Sequence, residues 1–329
     1  MIRAAAPGKV VLWGEYAVLA GAPALVMAVD RRARCEIDPG GSAWRFTALG
    51  HDAAAETVSG ARLLHGDLPS RDRVWTVAWH VLQALGRSSL PAGGEVRFDT
   101  RSFQDEAGRG KLGLGSSAAR CVAAYGAFGR LLGQPVRYAT AVDVHERFQG
   151  GRGSGIDVAA AWFGGTLKFR RIAAGDSATS DAAPWPMPAG LTTTFVFSGA
   201  PARTSDHLER LHRWLEAGGR RELDALAEAA AALFEAADPM PALQHYVTAL
   251  RGLDEAAGLG IFSDAHRQLS RLAFDAGVVY KPCGAGGGDI GAAFTPDASA
   301  GHRFARLAAD HGFLPLALET ASHGIEVTG

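Results

Sequence analysis

Apolar residues recur along this chain with two periods, and the change of period marks out its elements. Residues 2–30 read as strand, turn, strand and a segment entering the core. Further strands are predicted at 31–37, 44–49 and 95–100, with Pro39-Gly40-Gly41 turning between the first two. Helical spacing appears at 74–85, where Trp75 and Trp79 share one face and read as core. It returns at 118–132, an Ala-rich run without proline, and at 138–148 and 158–163. After a strand at 191–197, four more helical runs are predicted at 205–217, 222–237, 242–258 and 264–276. A helix at 300–311 and a strand at 313–319 follow. Residues 173–190 have no apolar period and carry three prolines, which makes them the expected boundary between a unit at 1–185 and one at 186–329. Strands flanking helices in 191–329 fit a split βαβ, ferredoxin-like arrangement.

Three glycine-rich stretches interrupt these elements. Lys111-Leu-Gly-Leu-Gly-Ser-Ser-Ala-Ala119 is a flexible turn feeding a helix, with Ser116 and Ser117 placed to cap it. Free amides and the positive end of the helix dipole make such a turn an anion site. The plainer reading is a loop before a core helix. Gln149-Gly-Gly-Arg-Gly-Ser-Gly-Ile-Asp157 opens a second helix, where Asp157 could serve only as a cap. Gly284-Ala-Gly-Gly-Gly288 is either a long hairpin turn or an anion nest of successive amides.

Composition narrows the function. The 329 residues suffice for two domains, and a net charge of −1 gives no electrostatic case for nucleic acid or an anionic membrane. No charge-free run of about 18 apolar residues predicts a span. Lys9, Glu15 and Pro23 break the N-terminal apolar stretch too early for a signal peptide. Cys35, Cys121 and Cys283 are too few and too scattered for a disulfide framework or a zinc site, and read as free thiols of a cytoplasmic protein. A small-molecule substrate and a monomer or homodimer are expected.

The lysine of the 111–119 stretch precedes its glycines, so the P-loop pattern is not met. The stretch instead resembles the central phosphate loop of the GHMP kinases, the superfamily of galactokinase, homoserine kinase, mevalonate kinase and phosphomevalonate kinase. Pro7-Gly-Lys-Val-Val-Leu-Trp-Gly-Glu-Tyr-Ala-Val-Leu19 is similar to the first motif of that superfamily. Lys281-Pro-Cys-Gly-Ala-Gly-Gly-Gly-Asp289 is similar to the third. The order and spacing of the motifs carry the resemblance, which spans essentially the whole chain. K-x-G-L-G-S-S, G-S-G-x-D-V and the Asp289 ending look most like the phosphomevalonate kinase branch, with mevalonate kinases second.

The resemblance implies an α/β (α+β) fold with an N-terminal half like domain 2 of ribosomal protein S5, a ferredoxin-like C-terminal half and a cleft between them. It implies a kinase using ATP and Mg²⁺, with mevalonate 5-phosphate as the expected acceptor. Mevalonate or another small alcohol is the alternative acceptor, and a non-catalytic sensor the remote one. Lys9, Lys111 and Asp157 become the expected catalytic residues. Gly113, Leu114, Gly115, Ser116, Ser117 and Ala118 would cradle the ATP phosphates. Ser117 and Glu146 would hold the metal. Lys9, Ser154, Gly155, Arg203, Gly286, Gly287 and Gly288 would face the acceptor.

Overall fold

The computed structural model describes residues 1–50, 54–70, 72–87, 89–105, 108, 110–150, 153–174, 177–201 and 204–329. The first half contains β1 (Ile2–Trp13), β2 (Ala24–Pro39), β3 (Trp44–Leu49), β4 (Glu56–Val58), α1 (Gly60–His65), α2 (Thr76–Leu85) and β5 (Gly94–Asp99). Then come α3 (Ser116–Leu131), α4 (Tyr138–Gln149), α5 (Ile156–Phe163), β6 (Thr166–Ala174) and β7 (Ser177–Pro184). The second half contains β8 (Thr192–Phe197), α6 (Thr204–Glu216), α7 (Arg221–Ala232), α8 (Pro239–Ala257), α9 (Asp264–Ala276), β9 (Val279–Pro282), β10 (Ile290–Thr295), α10 (Ala298–Asp310), β11 (Leu314–Leu316) and β12 (Glu326–Thr328).

Among the described residues the strands form two sheets. The larger runs β12-β1-β2-β5-β3-β4, with β6 paired to β2 and β7 to β6; the smaller runs β11-β8-β10-β9. Residues 177–184, expected to be an irregular boundary, are an edge strand antiparallel to β6. An edge strand needs no continuous apolar face, which is why small polar residues hid it. The chain's end pairs on the first sheet, away from the strands of the second. β12 returns to the first sheet and pairs with β1, from Arg3 opposite Thr328 to Ala5 opposite Glu326.

Period-2 alternation explains how the layers pack. On β8, Phe195 and Phe197 join the central core, while Val196 faces the opposite side with α9 and α10. On β10, Ile290, Ala292 and Phe294 face that same central core and Ala293 faces the helices. Along β1, Ala4 and Ala6 pack under α2, α3 and α4, whereas Val10, Leu12 and Trp13 pack with Leu226, Leu243 and Tyr246 of the second half. Lys9 therefore lies where β1 passes from one core to the other. The two tryptophans read as core hold partly polar posts: Trp75 is buried with its indole N–H donated to Glu56, and Trp79 donates to the Gly66 carbonyl.

Candidate active site

The site is built around Lys9. A register shift between Pro7 and Gly8 breaks the β1–β2 ladder one residue before it. There the 113–115 bend comes down onto the strand, and the Lys9 amide donates to the Leu114 carbonyl at 2.8 Å. Only glycine permits this approach: a Cβ on Gly8 would stand 2.5 Å from the Leu114 oxygen and 2.6 Å from the Phe103 ring. Gly113 and Gly115 adopt φ of 73° and 76°, left-handed values that suit glycine.

The serines are not the helix cap the sequence suggested. Gly115 is the N-cap of α3, it makes no side-chain capping bond, and Ser116 and Ser117 are the first two helical residues. The cap position takes a left-handed backbone here, which serine adopts only with strain. The first-turn amides at 116–118 thus lack the side-chain acceptor an Ser or Asp cap supplies, and they keep the dipole's positive end available to an anion. α5 repeats the device: Gly155 is its left-handed N-cap, again without a side-chain cap, and Asp157 sits in the first turn.

Both helix starts flank the same ammonium. Lys9 Nζ lies 3.4 Å from Asp157 Oδ1, with the lysine side chain 12 % exposed. A Cβ at Gly115 would stand 3.1 Å from Lys9 Cγ, and one at Gly284 would stand 3.9 Å from Nζ. A narrow pocket closes the inner end of this cleft, lined by Lys9, Gly113, Cys283, Gly284, Ala285 and Asp289. The first and third glycine-rich stretches thus both border Lys9. Ser154 and Gly155 are half-buried just before α5, where the Ser154 hydroxyl accepts from the Ile156 amide at 3.4 Å.

The remaining expected residues are placed differently. Lys111 is exposed, joined to Gln104 by an isolated β-bridge, and stands outside the lining of the inner pocket. Glu146 is not the neighbour of the Ser117 hydroxyl; His145 is, with Nε2 at 3.4 Å. Successive helical residues point about 100° apart, so a helix that turns His145 inward turns Glu146 aside. Burial lowers the His145 pKa, Asp157 opposes that and Lys9 adds to it, so the three groups share one electrostatic neighbourhood. The sequence carried the His145 signal, a histidine one residue before the glutamate, without showing which of the two faced α3. Arg203 lies outside the described residues.

Gly286, Gly287 and Gly288 serve the second half rather than the pocket. A Cβ on Gly286 would meet Ile261 at 2.5 Å, and one on Gly287 would meet His207 at 2.6 Å. The Gly288 carbonyl accepts from His266 Nε2 at 2.8 Å. His266 is wholly buried, its pKa lowered to about 4 by burial, so it stays neutral and its Nδ1 takes the Tyr280 hydroxyl at 2.7 Å. The loop is no open nest either. The amides of Gly284, Gly287 and Asp289 donate to Glu15, to the Ile261 carbonyl and to the Ala200 carbonyl. Asp289, with φ of 56°, is an acid the sequence reading left unassigned; a Cβ on Gly113 would stand 2.3 Å from its carboxyl carbon. The three cysteines are free and buried. No helix among the described residues is long and apolar enough to cross a membrane.

Comparison with known proteins shows the family of the chain. The family profile described as GHMP kinases N terminal domain matches residues 72–165. A phosphomevalonate kinase of Streptomyces sp. strain CL190 is 32 % identical over 97 % of this chain and 97 % of its own length. A mevalonate kinase of Aeropyrum pernix is 30 % identical over 72 % of this chain and 67 % of its own. In three dimensions the chain is similar to Streptococcus pneumoniae phosphomevalonate kinase in complex with phosphomevalonate and AMPPNP. That match has a TM-score of 0.77 at 20 % identity and covers 97 % of this chain and 100 % of that one. With two left-handed glycine caps and a third glycine loop gathered round Lys9, and with a relative matched end to end, the chain belongs to the GHMP kinases and is an ATP-dependent enzyme of that family.

Proposed function

We propose that this kinase transfers the γ-phosphoryl group of ATP to mevalonate 5-phosphate, giving mevalonate 5-diphosphate and ADP. An oxygen of the acceptor phosphate forms the new bond to the γ-phosphorus as its bond to the β,γ-bridging oxygen breaks. The end-to-end relationship to a phosphomevalonate kinase carries this reading. The site gives it a physical reason. A phosphate acceptor with a second pKa near 6 is largely ionised at neutral pH and hardly needs a base. It needs its repulsion from ATP offset, because phosphoryl transfer is mostly positioning and charge stabilisation.

In this reading the 116–118 amides and the α3 dipole hold the ATP phosphates. Lys9, fixed between Gly115 and Asp157, neutralises the transferring group. Lys111, exposed beside the bend, reaches the incoming acceptor. Asp157 orients Lys9. Ser154 and Gly155, at the start of α5, face the acceptor. The oxygen donors present suit Mg²⁺, which takes one or two protein ligands and otherwise phosphate oxygens. The Ser117 hydroxyl is its natural protein ligand here; the ion would supply positive charge to the phosphates.

A coupled assay with mevalonate 5-phosphate, mevalonate, galactose and homoserine tests the acceptor. Turnover is expected with mevalonate 5-phosphate alone. Turnover of mevalonate but not its phosphate would move the enzyme to the branch of the Aeropyrum relative, and nucleotide binding without turnover across the panel would leave a sensor.

A further inference from the structure

The most deeply buried ion pair among the described residues plays no part in the chemistry described above. Glu15 follows β1, in a position that reads from sequence as a turn glutamate, and Lys281 lies on β9. Lys281 Nζ donates to Glu15 Oε1 at 2.5 Å, with the two side chains 0 % and 2 % exposed. The other groups around the pair come from both halves of the molecule. The Tyr246 hydroxyl donates to Glu15 Oε2 at 2.7 Å and accepts from the Gly14 amide at 2.8 Å. The Gly284 amide donates to Glu15 Oε1 at 3.3 Å. The Tyr16 hydroxyl donates to the Ala285 carbonyl at 2.5 Å. Tyr16 holds a φ of 60°, unusual for a residue with a side chain. Three consecutive residues after β1 are thus bonded to α8, β9 and the loop after it.

A buried ion pair is a poor way to gain stability, since apolar residues of similar volume do as well or better. What it supplies is one fixed arrangement, because any slip of the two surfaces strands a charge in the interior. The surfaces fixed here matter. Gly284, whose amide donates to the Glu15 carboxylate, borders Lys9 Nζ and lines the inner pocket. We propose that Glu15 and Lys281 are positioning residues, the joint that sets the 283–289 loop at its working distance from the Lys9 ammonium and so governs the transfer step rather than nucleotide affinity. This rests on the chain being a kinase, and not on which acceptor it uses.

The test compares the parent enzyme with the double variant E15Q/K281M, with K281M alone and with Y246F. K281M leaves a carboxylate buried without its cation and is expected to melt far below the parent. The double variant removes both charges and is expected to stay folded by circular dichroism. In it, AMPPNP should bind within about threefold of the parent while kcat falls on the order of 10²-fold, as small misplacement in an active site does. Amide exchange at 284–288 should quicken at least tenfold, and this readout needs no acceptor at all. Y246F should shift both quantities in the same direction by less. A folded double variant with parental kcat and parental loop exchange would overturn the joint, as would an equal loss of AMPPNP affinity. Failure of mevalonate 5-phosphate as substrate would instead strike the acceptor reading and leave the exchange result standing.

Discussion

The two lysines proposed for the transfer step live in different surroundings. Lys9 is held: its stem runs against the Gly115 backbone, its amide is tied to Leu114 and its head meets Asp157. Lys111 is exposed, and among the described residues its ammonium has no ion pair. A side chain that is free to swing suits an incoming charged acceptor better than one already engaged. Lys111→Ala is therefore expected to lower turnover of mevalonate 5-phosphate by on the order of 10²-fold, the cost of losing one charge-stabilising donor. ATP affinity measured without acceptor should hardly change. Steady-state kinetics with both substrates varied make the check, and a near-normal kcat/KM for the acceptor would remove Lys111 from the mechanism.

At the scale of elements, two helices begin at left-handed glycines on either side of one lysine, and this arrangement was only partly legible in the sequence. The glycines, the helix after them and Asp157 stood out as local patterns within a dozen residues. That Gly115 and not Ser116 caps α3 could not be read, because the serine is the better cap by propensity and the bend onto Lys9 overrides it. The Glu15–Lys281 pair was invisible for a different reason: the partners are remote in sequence, and each alone looks like a solvated charge. The β7 edge and three-residue β12 carry too little periodicity to announce themselves. The glycines of the bend can be tested by strain. Gly115→Ala puts a Cβ on a φ of 76°, costing roughly 1–2 kcal/mol, and brings it 3.1 Å from Lys9 Cγ, a contact milder than the one at Gly113. Gly113→Ala faces the same strain and also the Asp289 carboxyl at 2.3 Å, so it must push the bend off the second half. The KM for ATP should rise at least tenfold for Gly113→Ala, and less for Gly115→Ala. The opposite order would mean that the contact with Asp289 does not shape the bend.

Across the whole molecule, the chain leaves the first sheet after β7 and comes back to it as β12, so the second half is held at both of its ends. The returning segment is stitched in along its length. Glu319 accepts from the Asp30 amide, Ala321 accepts from the Gly165 amide, and Arg32 donates to the Gly324 and His323 carbonyls. It finishes against the back of α3, the helix that begins at the 113–115 bend. A Cβ on Gly126, in the middle of α3, would stand 2.5 Å from Ile325 Cδ1 and 2.9 Å from Val327 Cγ2. A mid-helix glycine costs about 1 kcal/mol relative to alanine, so its presence here reflects the strand lying on it. The consequence is a change of sign. In the full chain, Gly126→Ala should destabilise, because the methyl group displaces two packed side chains. In a chain cut after Gly324, the truncation itself should lower the melting temperature by several degrees, through loss of two partly buried aliphatic side chains worth roughly 1–2 kcal/mol each. On that background Gly126→Ala has lost its three nearest contacts, all from Ile325 and Val327, and should stabilise by about 1 kcal/mol. Thermal melts of the four proteins complete the cycle. If alanine stabilises both chains equally, β12 does not rest on α3, and α3 is supported by the rest of the first half alone.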